Sequence, residues 1–123
     1  MGKASQRKGA QGERELAEIL HDALGVDTRR GTILYGGSAD VEGLPLVHVE
    51  CKRAEKFSLY KAFEQSTRDA AKTGEIPAVF HRRNYKPWLV VMSLSDWLDF
   101  YRAYTEGRWN DSENLPTADD SPW

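Results

Sequence analysis

The first strong pattern along the chain is helical, because apolar side chains recur every three or four residues from Gly12 to Leu24. Gly25 is suited to end this helix, since glycine readily adopts the left-handed conformation of a helix C-cap. A second amphipathic segment runs over about residues 58–72, and a third begins after Ser93 or Ser95. Three amphipathic helices are therefore predicted.

Short apolar runs between these helices predict strands. Three lie between the first two helices: one over 28–35, one near 39–41 and one over 46–51, which we expect to be the central strand of the sheet. Two more lie over 78–80 and 88–92. The predicted order is α-β-β-β-α-β-β-α, and the fold class is α/β, with a small mixed five-stranded sheet flanked by helices.

Length and composition narrow the class of protein. A chain of 123 residues has the size of one domain, which we place over 1–104, followed by an acidic tail over 105–123 that we expect to be mobile. We expect no membrane span and no secretory signal, since the chain has no long apolar run and a polar, basic start. Cys51 is the only cysteine, which excludes an internal disulfide and argues against a structural zinc site.

Charge is unevenly distributed along the chain. Five of the 19 acids but one of the 17 bases lie after Tyr104, so the net charge of −2 conceals a formal +2 in residues 1–104. The bases form clusters at 3–8, 29–30, 52–56 and 82–86. Such clusters suit a surface that contacts phosphates, although solvated loops give the same pattern.

The chemistry-bearing pattern is Asp40 followed, ten residues later, by Glu50-Cys51-Lys52. If two hairpin arms carry them, both carboxylates converge at one edge of the sheet, while Cys51 points into the core. With the Cys51 carbonyl they form an oxygen-rich site suited to Mg²⁺ or Mn²⁺, and Lys52 can orient an attacking water. Alternatively, Asp40 is a turn residue and the other charges form an exposed cross-strand pattern; however, an acid in an apolar strand needs a compensating cation.

A family resemblance adds to this interpretation. The segment from Arg7 to Leu16, R-K-G-A-Q-G-E-R-E-L, followed by Asp40, Glu50 and Lys52, resembles the archaeal-type, Hjc-like Holliday junction resolvases of the PD-(D/E)XK nuclease superfamily. The resemblance covers residues 7–95 and implies a restriction-endonuclease-like core. It implies that Glu13, Asp40 and Glu50 are metal ligands together with the Cys51 carbonyl, that Lys52 is the catalytic lysine, and that Ser38 lies near the scissile phosphate.

The resemblance also leaves alternatives open. Glu13 can instead be a helix N-terminal acid favoured by the macrodipole. Ala39 stands where the superfamily has a proline, and the stretch over 30–38 is longer than typical, so the choice between Arg29 and Arg30 is open. The residues expected to contact DNA are Lys3, Arg7, Lys8, Arg14, Arg29, Arg30, Arg53, Lys56, Arg82, Arg83 and Lys86.

The expected function is that of a Holliday junction resolvase, a structure-selective endodeoxyribonuclease that nicks four-way DNA junctions symmetrically during recombination, repair or replication. The resemblance implies a homodimer that uses Mg²⁺, with Mn²⁺ as a substitute, in the cytoplasm of an archaeal or phage-infected cell. Trp88, Trp97, Phe100 and Tyr101 are candidates for the dimer interface or the core. The rivals are another PD-(D/E)XK DNA nuclease and an inert DNA-binding module.

Overall fold

The computed structural model describes the backbone of residues 3–31 and 39–110, and the side chains of residues 7–31 and 39–107. The eight elements are α1 (Lys3–Leu24), β1 (Arg29–Arg30), β2 (Val41–Glu42), β3 (Val47–Arg53), α2 (Leu59–Ala71), β4 (Ile76–Arg82), β5 (Leu89–Val91) and α3 (Leu94–Asn110). This element order confirms the predicted one. No helix in these ranges is long and apolar enough to cross a membrane.

The five strands form one mixed sheet in the order β1-β2-β3-β4-β5. β3 is central, as predicted, and runs parallel to β4, with Cys51 opposite Phe80 and Lys52 opposite His81. All other pairs are antiparallel. The parallel pair requires a crossover connection, which α2 supplies.

The core lies between α1 and one face of the sheet. Its buried members are Leu16, Ala17, Val41, Val49, Cys51, Ala78 and Phe80. Because side chains alternate along a strand, the even-numbered residues of β3 point to the opposite face. α2 covers that opposite face with three small buried residues, Ala62, Ser66 and Ala70.

The first helix begins nine residues before its predicted start at Gly12, so the basic segment over 3–8 is part of α1. Gly12 is needed for packing, because a Cβ there would lie 2.4 Å from the Cβ of Arg53. α2 begins after Ser58 as predicted, although the serine side chain makes no capping hydrogen bond. In α3 the Ser93 hydroxyl does cap, since its Oγ accepts a hydrogen bond from the Asp96 N–H at 3.1 Å.

The chain forms two compact units, one up to Val91 and one from Met92 onward. The second unit contains α3, which reaches Asn110 and so includes the first six residues of the predicted tail. Residues 111–123 of that tail lie outside the described residues, as does half of the predicted strand over 28–35, of which Arg29–Arg30 is a strand. The predicted domain end at residue 104 stays a prediction.

Candidate active site

Asp40 is held between two strands at the point where β2 begins. Its N–H donates to the Val49 carbonyl at 2.9 Å, and its carbonyl accepts from the Gly31 N–H at 2.8 Å. Its side chain turns to β3, where Oδ2 accepts a hydrogen bond from the Cys51 N–H at 2.8 Å. This carboxylate is therefore fixed by the backbone of the central strand.

Glu50 lies beside Asp40 on β3 and is 5% exposed. The Nζ atom of Lys52, two residues further along the same face, is 3.3 Å from Glu50 Oε1, and the Lys52 side chain keeps 34% of its surface exposed. The charge of Glu50 also acts on the neighbouring Asp40 carboxyl group. The two carboxyl groups and the amine thus form one cluster whose amine reaches solvent.

Both carboxyl groups are disfavoured in their charged forms. Burial, followed by the nearby Glu50, raises the pKa of Asp40 from 3.8 to about 6. Burial also raises the pKa of Glu50, while the Lys52 ammonium opposes that rise. A buried acid and a partly buried one that repel each other provide the electrostatic setting in which a divalent cation binds favourably.

The donor set of this cluster fits Mg²⁺. The N–H of Cys51 points to Asp40, and since the N–H and C=O of one strand residue point to the same edge, the Cys51 carbonyl faces Asp40 as well. Magnesium is commonly held by one or two carboxylates, with waters and substrate phosphates completing its shell. The Cys51 side chain points to the core, and burial raises the pKa of its thiol well above the usual range.

Glu13 on α1 lies near enough to Asp40 for its charge to contribute to the raised pKa of that carboxyl group. Its Oε2 accepts a hydrogen bond from Arg30 Nε at 2.6 Å, so an ion pair between α1 and β1 holds it. Within the described ranges no three His, Cys, Asp or Glu side chains are placed to share a metal ion. The role of Glu13 as a metal ligand stays a prediction, and Ser38, the other implied site residue, lies outside the described residues.

Five of the eleven expected DNA contacts are engaged within the protein. Lys8 pairs with Glu55, Arg29 with Glu42, and Arg30 with Glu13, while Arg53 donates to Asn84 Oδ1 and Arg82 to Glu15 Oε1. Arg82 in particular has a structural task. Together with the indole N–H of Trp88, which donates to the same Glu15 oxygen at 2.9 Å, it ties the β4–β5 hairpin to α1.

The other expected contacts are surface residues. Arg7, Arg14, Lys56, Arg83 and Lys86 are all exposed. The side chain of Lys3 is outside the described part of the chain. The exposed bases lie on α1, after β3 and on the β4–β5 turn, so each is free to move towards a phosphate.

One neighbour of the site was missed by sequence reasoning. Asp69 on α2 is largely buried, at 15% side-chain exposure, and its charge contributes to the raised pKa of Glu50. Its spacing of seven residues from Ala62, an inward-facing residue of α2, is the signal that could have indicated it. Trp88, a candidate for the dimer interface or the core, packs partly buried against the core.

Comparison with known proteins gives the family and the fold of the chain. The family described as "Phage putative PDDEXK endonuclease" matches residues 4–113. Among solved structures, the chain is similar to Hjc of Archaeoglobus fulgidus, a Holliday junction resolvase from an archaeal hyperthermophile, with 21% sequence identity and a TM-score of 0.53 over 69% of this chain and 72% of that one. This likeness shows a restriction-endonuclease-like fold. No curated protein sequence matches the chain.

Proposed function

Because this chain belongs to the family of phage PD-(D/E)XK endonucleases, we propose that it is a Holliday junction resolvase that nicks four-way DNA junctions. The observation that carries the proposal is the cluster of Asp40, Glu50 and Lys52 where β2 pairs with β3. The fold around this cluster is similar to that of an archaeal resolvase. Buried acids beside a partly exposed lysine are the groups that phosphodiester hydrolysis requires.

Asp40, Glu50 and the Cys51 carbonyl would hold the metal ion. A bound Mg²⁺, or Mn²⁺ in its place, supplies a Lewis acid that polarises a phosphate oxygen and lowers the pKa of a coordinated water. The chain's own residues do the rest. Lys52 Nζ, held 3.3 Å from Glu50, offsets charge that builds on the phosphate and can orient the attacking water.

DNA is held by its backbone. The exposed bases Arg7, Arg14, Lys56, Arg83 and Lys86 are the phosphate contacts that the surface offers. Such contacts position a duplex without reading its sequence, so selection of a junction rests on shape. Glu13 acts through Arg30, whose guanidinium it positions at the start of the sheet.

Symmetric nicking needs two sites related by a two-fold axis, which a homodimer provides. α3 supports this proposal, since Trp97 and Tyr101 stack at 5.2 Å on a helix that also exposes Phe100 and Tyr104. Aromatic side chains of this kind are enriched in interfaces. Analytical ultracentrifugation of the wild type and of Trp97→Ala tests the proposed homodimer, with a monomeric wild type as the contradicting result.

We place the enzyme in the cytoplasm, where DNA junctions occur.

The central experiment incubates purified protein with a synthetic four-way junction, with and without Mg²⁺, beside a linear duplex of the same sequence. We expect paired nicks at symmetric positions that require the ion and are abolished in Glu50→Gln. The matched control is Glu64→Gln, which removes an exposed acid from α2. Equal cleavage of the linear duplex would contradict junction selectivity and favour another PD-(D/E)XK nuclease.

The inert-module alternative is separated by binding. In a mobility-shift assay without Mg²⁺, wild type and Glu50→Gln should both bind the junction, whereas the wild type alone cleaves it when the ion is added. A wild type that binds but never cleaves, with Mg²⁺ or Mn²⁺, would overturn the nuclease proposal.

A further inference from the structure

His81 lies next to the catalytic cluster, although the pattern of acids and lysine does not include it. In the parallel β3–β4 pair it stands opposite Lys52. Residues in register on neighbouring strands point to the same face, about 5 Å apart, so His81 shares the face that carries Glu50 and Lys52. The ring is partly exposed and can be reached from solvent.

The orientation of the ring is fixed by two contacts. His81 Nδ1 is 2.8 Å from the Lys52 carbonyl oxygen, and the Phe57 ring packs against it at 4.4 Å between centroids. A carbonyl only accepts hydrogen bonds, so Nδ1 carries the proton and donates. Nε2 is therefore the ring atom that can meet a ligand.

We propose that His81 is a further substrate-contacting residue of the nuclease site, and that its Nε2 donates a hydrogen bond to a DNA phosphate oxygen beside the scissile bond. The inference rests on the proposed nuclease function. A phosphate oxygen only accepts, so the contact requires the imidazolium form, with a proton on Nε2 as well as on Nδ1. The proposal adds a donor on β4 to the cluster on β3.

A purely structural role makes a different prediction. If His81 acts only by holding the Lys52 carbonyl, the Nδ1 bond is the part that matters. Asparagine places an amide N–H near the position of Nδ1, whereas glutamine places one near that of Nε2. Comparing His81→Asn with His81→Gln therefore separates the two roles.

The test measures the single-turnover cleavage rate at saturating enzyme, with thermal unfolding as the check on folding. We expect His81→Asn to lose about tenfold or more, and His81→Gln to stay within about threefold of wild type. His21→Asn is the matched control, because His21 is exposed and its Nδ1 also meets a carbonyl, that of Val26, at 2.8 Å. Full activity of His81→Asn with loss in His81→Gln would overturn the proposal.

A second measurement needs no His81 variant. In the Glu50→Gln protein, the imidazole ¹⁵N resonance of His81 Nε2 should shift when an intact junction is added, whereas the corresponding His21 resonance should not. An unchanged His81 resonance would also refute the contact. If the wild type cuts linear DNA but not junctions, only the resolvase assignment is wrong, and the effect of the His81 substitutions is then measured on the cleavage of linear DNA. A wild type that cuts no DNA overturns both.

Discussion

Removing the charge of Asp40 should make the metal-free protein more stable while it abolishes cleavage. Asp40→Asn keeps an oxygen that can accept the hydrogen bond from the Cys51 N–H, now at 2.8 Å. It removes a carboxylate whose ionised form is disfavoured by burial and by Glu50. The variant thus separates the destabilisation caused by the ionised carboxylate from the role of that carboxylate in cleavage.

The magnitude follows from the pKa of Asp40, which is raised from 3.8 to about 6 in the folded protein. In that pH range the folded state holds a proton that the unfolded chain has released, so stability falls as the pH rises. A shift of about two units at ~1.4 kcal/mol each corresponds to about 3 kcal/mol lost between pH 4 and pH 7.

The assay is urea unfolding at several pH values in the presence of EDTA. The free energy of unfolding of the wild type minus that of Asp40→Asn should fall by up to about 3 kcal/mol from pH 4 to pH 7 and then stay level. Asp22→Asn, which removes an exposed acid from α1, serves as the control and should give a nearly flat difference. A difference that is constant or rises with pH would refute the burial argument, as would a destabilised Asp40→Asn at pH 8.

Three further results are expected. In thermal unfolding, Mg²⁺ at ten times its dissociation constant should stabilise the wild type by about 1.4 kcal/mol and leave the stability of Asp40→Asn unchanged. Equal stabilisation of both proteins would place the ion elsewhere. Lys52→Met should lower the single-turnover cleavage rate by about 100-fold or more while junction binding is kept, and an active variant would remove Lys52 from the mechanism. In denaturant unfolding, Gly12→Ala should lower the free energy of unfolding by about 1–3 kcal/mol, since the new Cβ would lie 2.4 Å from Arg53. Gly9→Ala has open space around it and should not destabilise the protein. Similar stabilities of the two variants would contradict the close approach.

The sequence predicted the order of the elements and the central strand because both depend on local patterns. Apolar residues at helical spacing and in short runs set the elements, and Glu50 within an apolar strand marked the buried acid. The pairing of Glu50 with Lys52 follows from alternation along one strand and could be predicted without knowledge of any other element.

Features that depend on distant parts of the chain could not be predicted in this way. The ion pair between Glu13 and Arg30 on β1 is one such feature, because no local pattern reveals which of two nearby charges will pair. The ion pair between Arg82 and Glu15, 67 residues earlier, is another. His81 becomes a neighbour of Lys52 only through the parallel register of β3 and β4.

The burial of Cys51 has a practical consequence for studying this protein. The thiol lies in the core, and burial raises its pKa far above neutrality, so little of the reactive thiolate is present. A maleimide fluorophore should therefore not react with Cys51 and should modify only a cysteine that is introduced on the surface. Single-molecule experiments on the enzyme and a labelled junction can then be set up in an otherwise unaltered sequence.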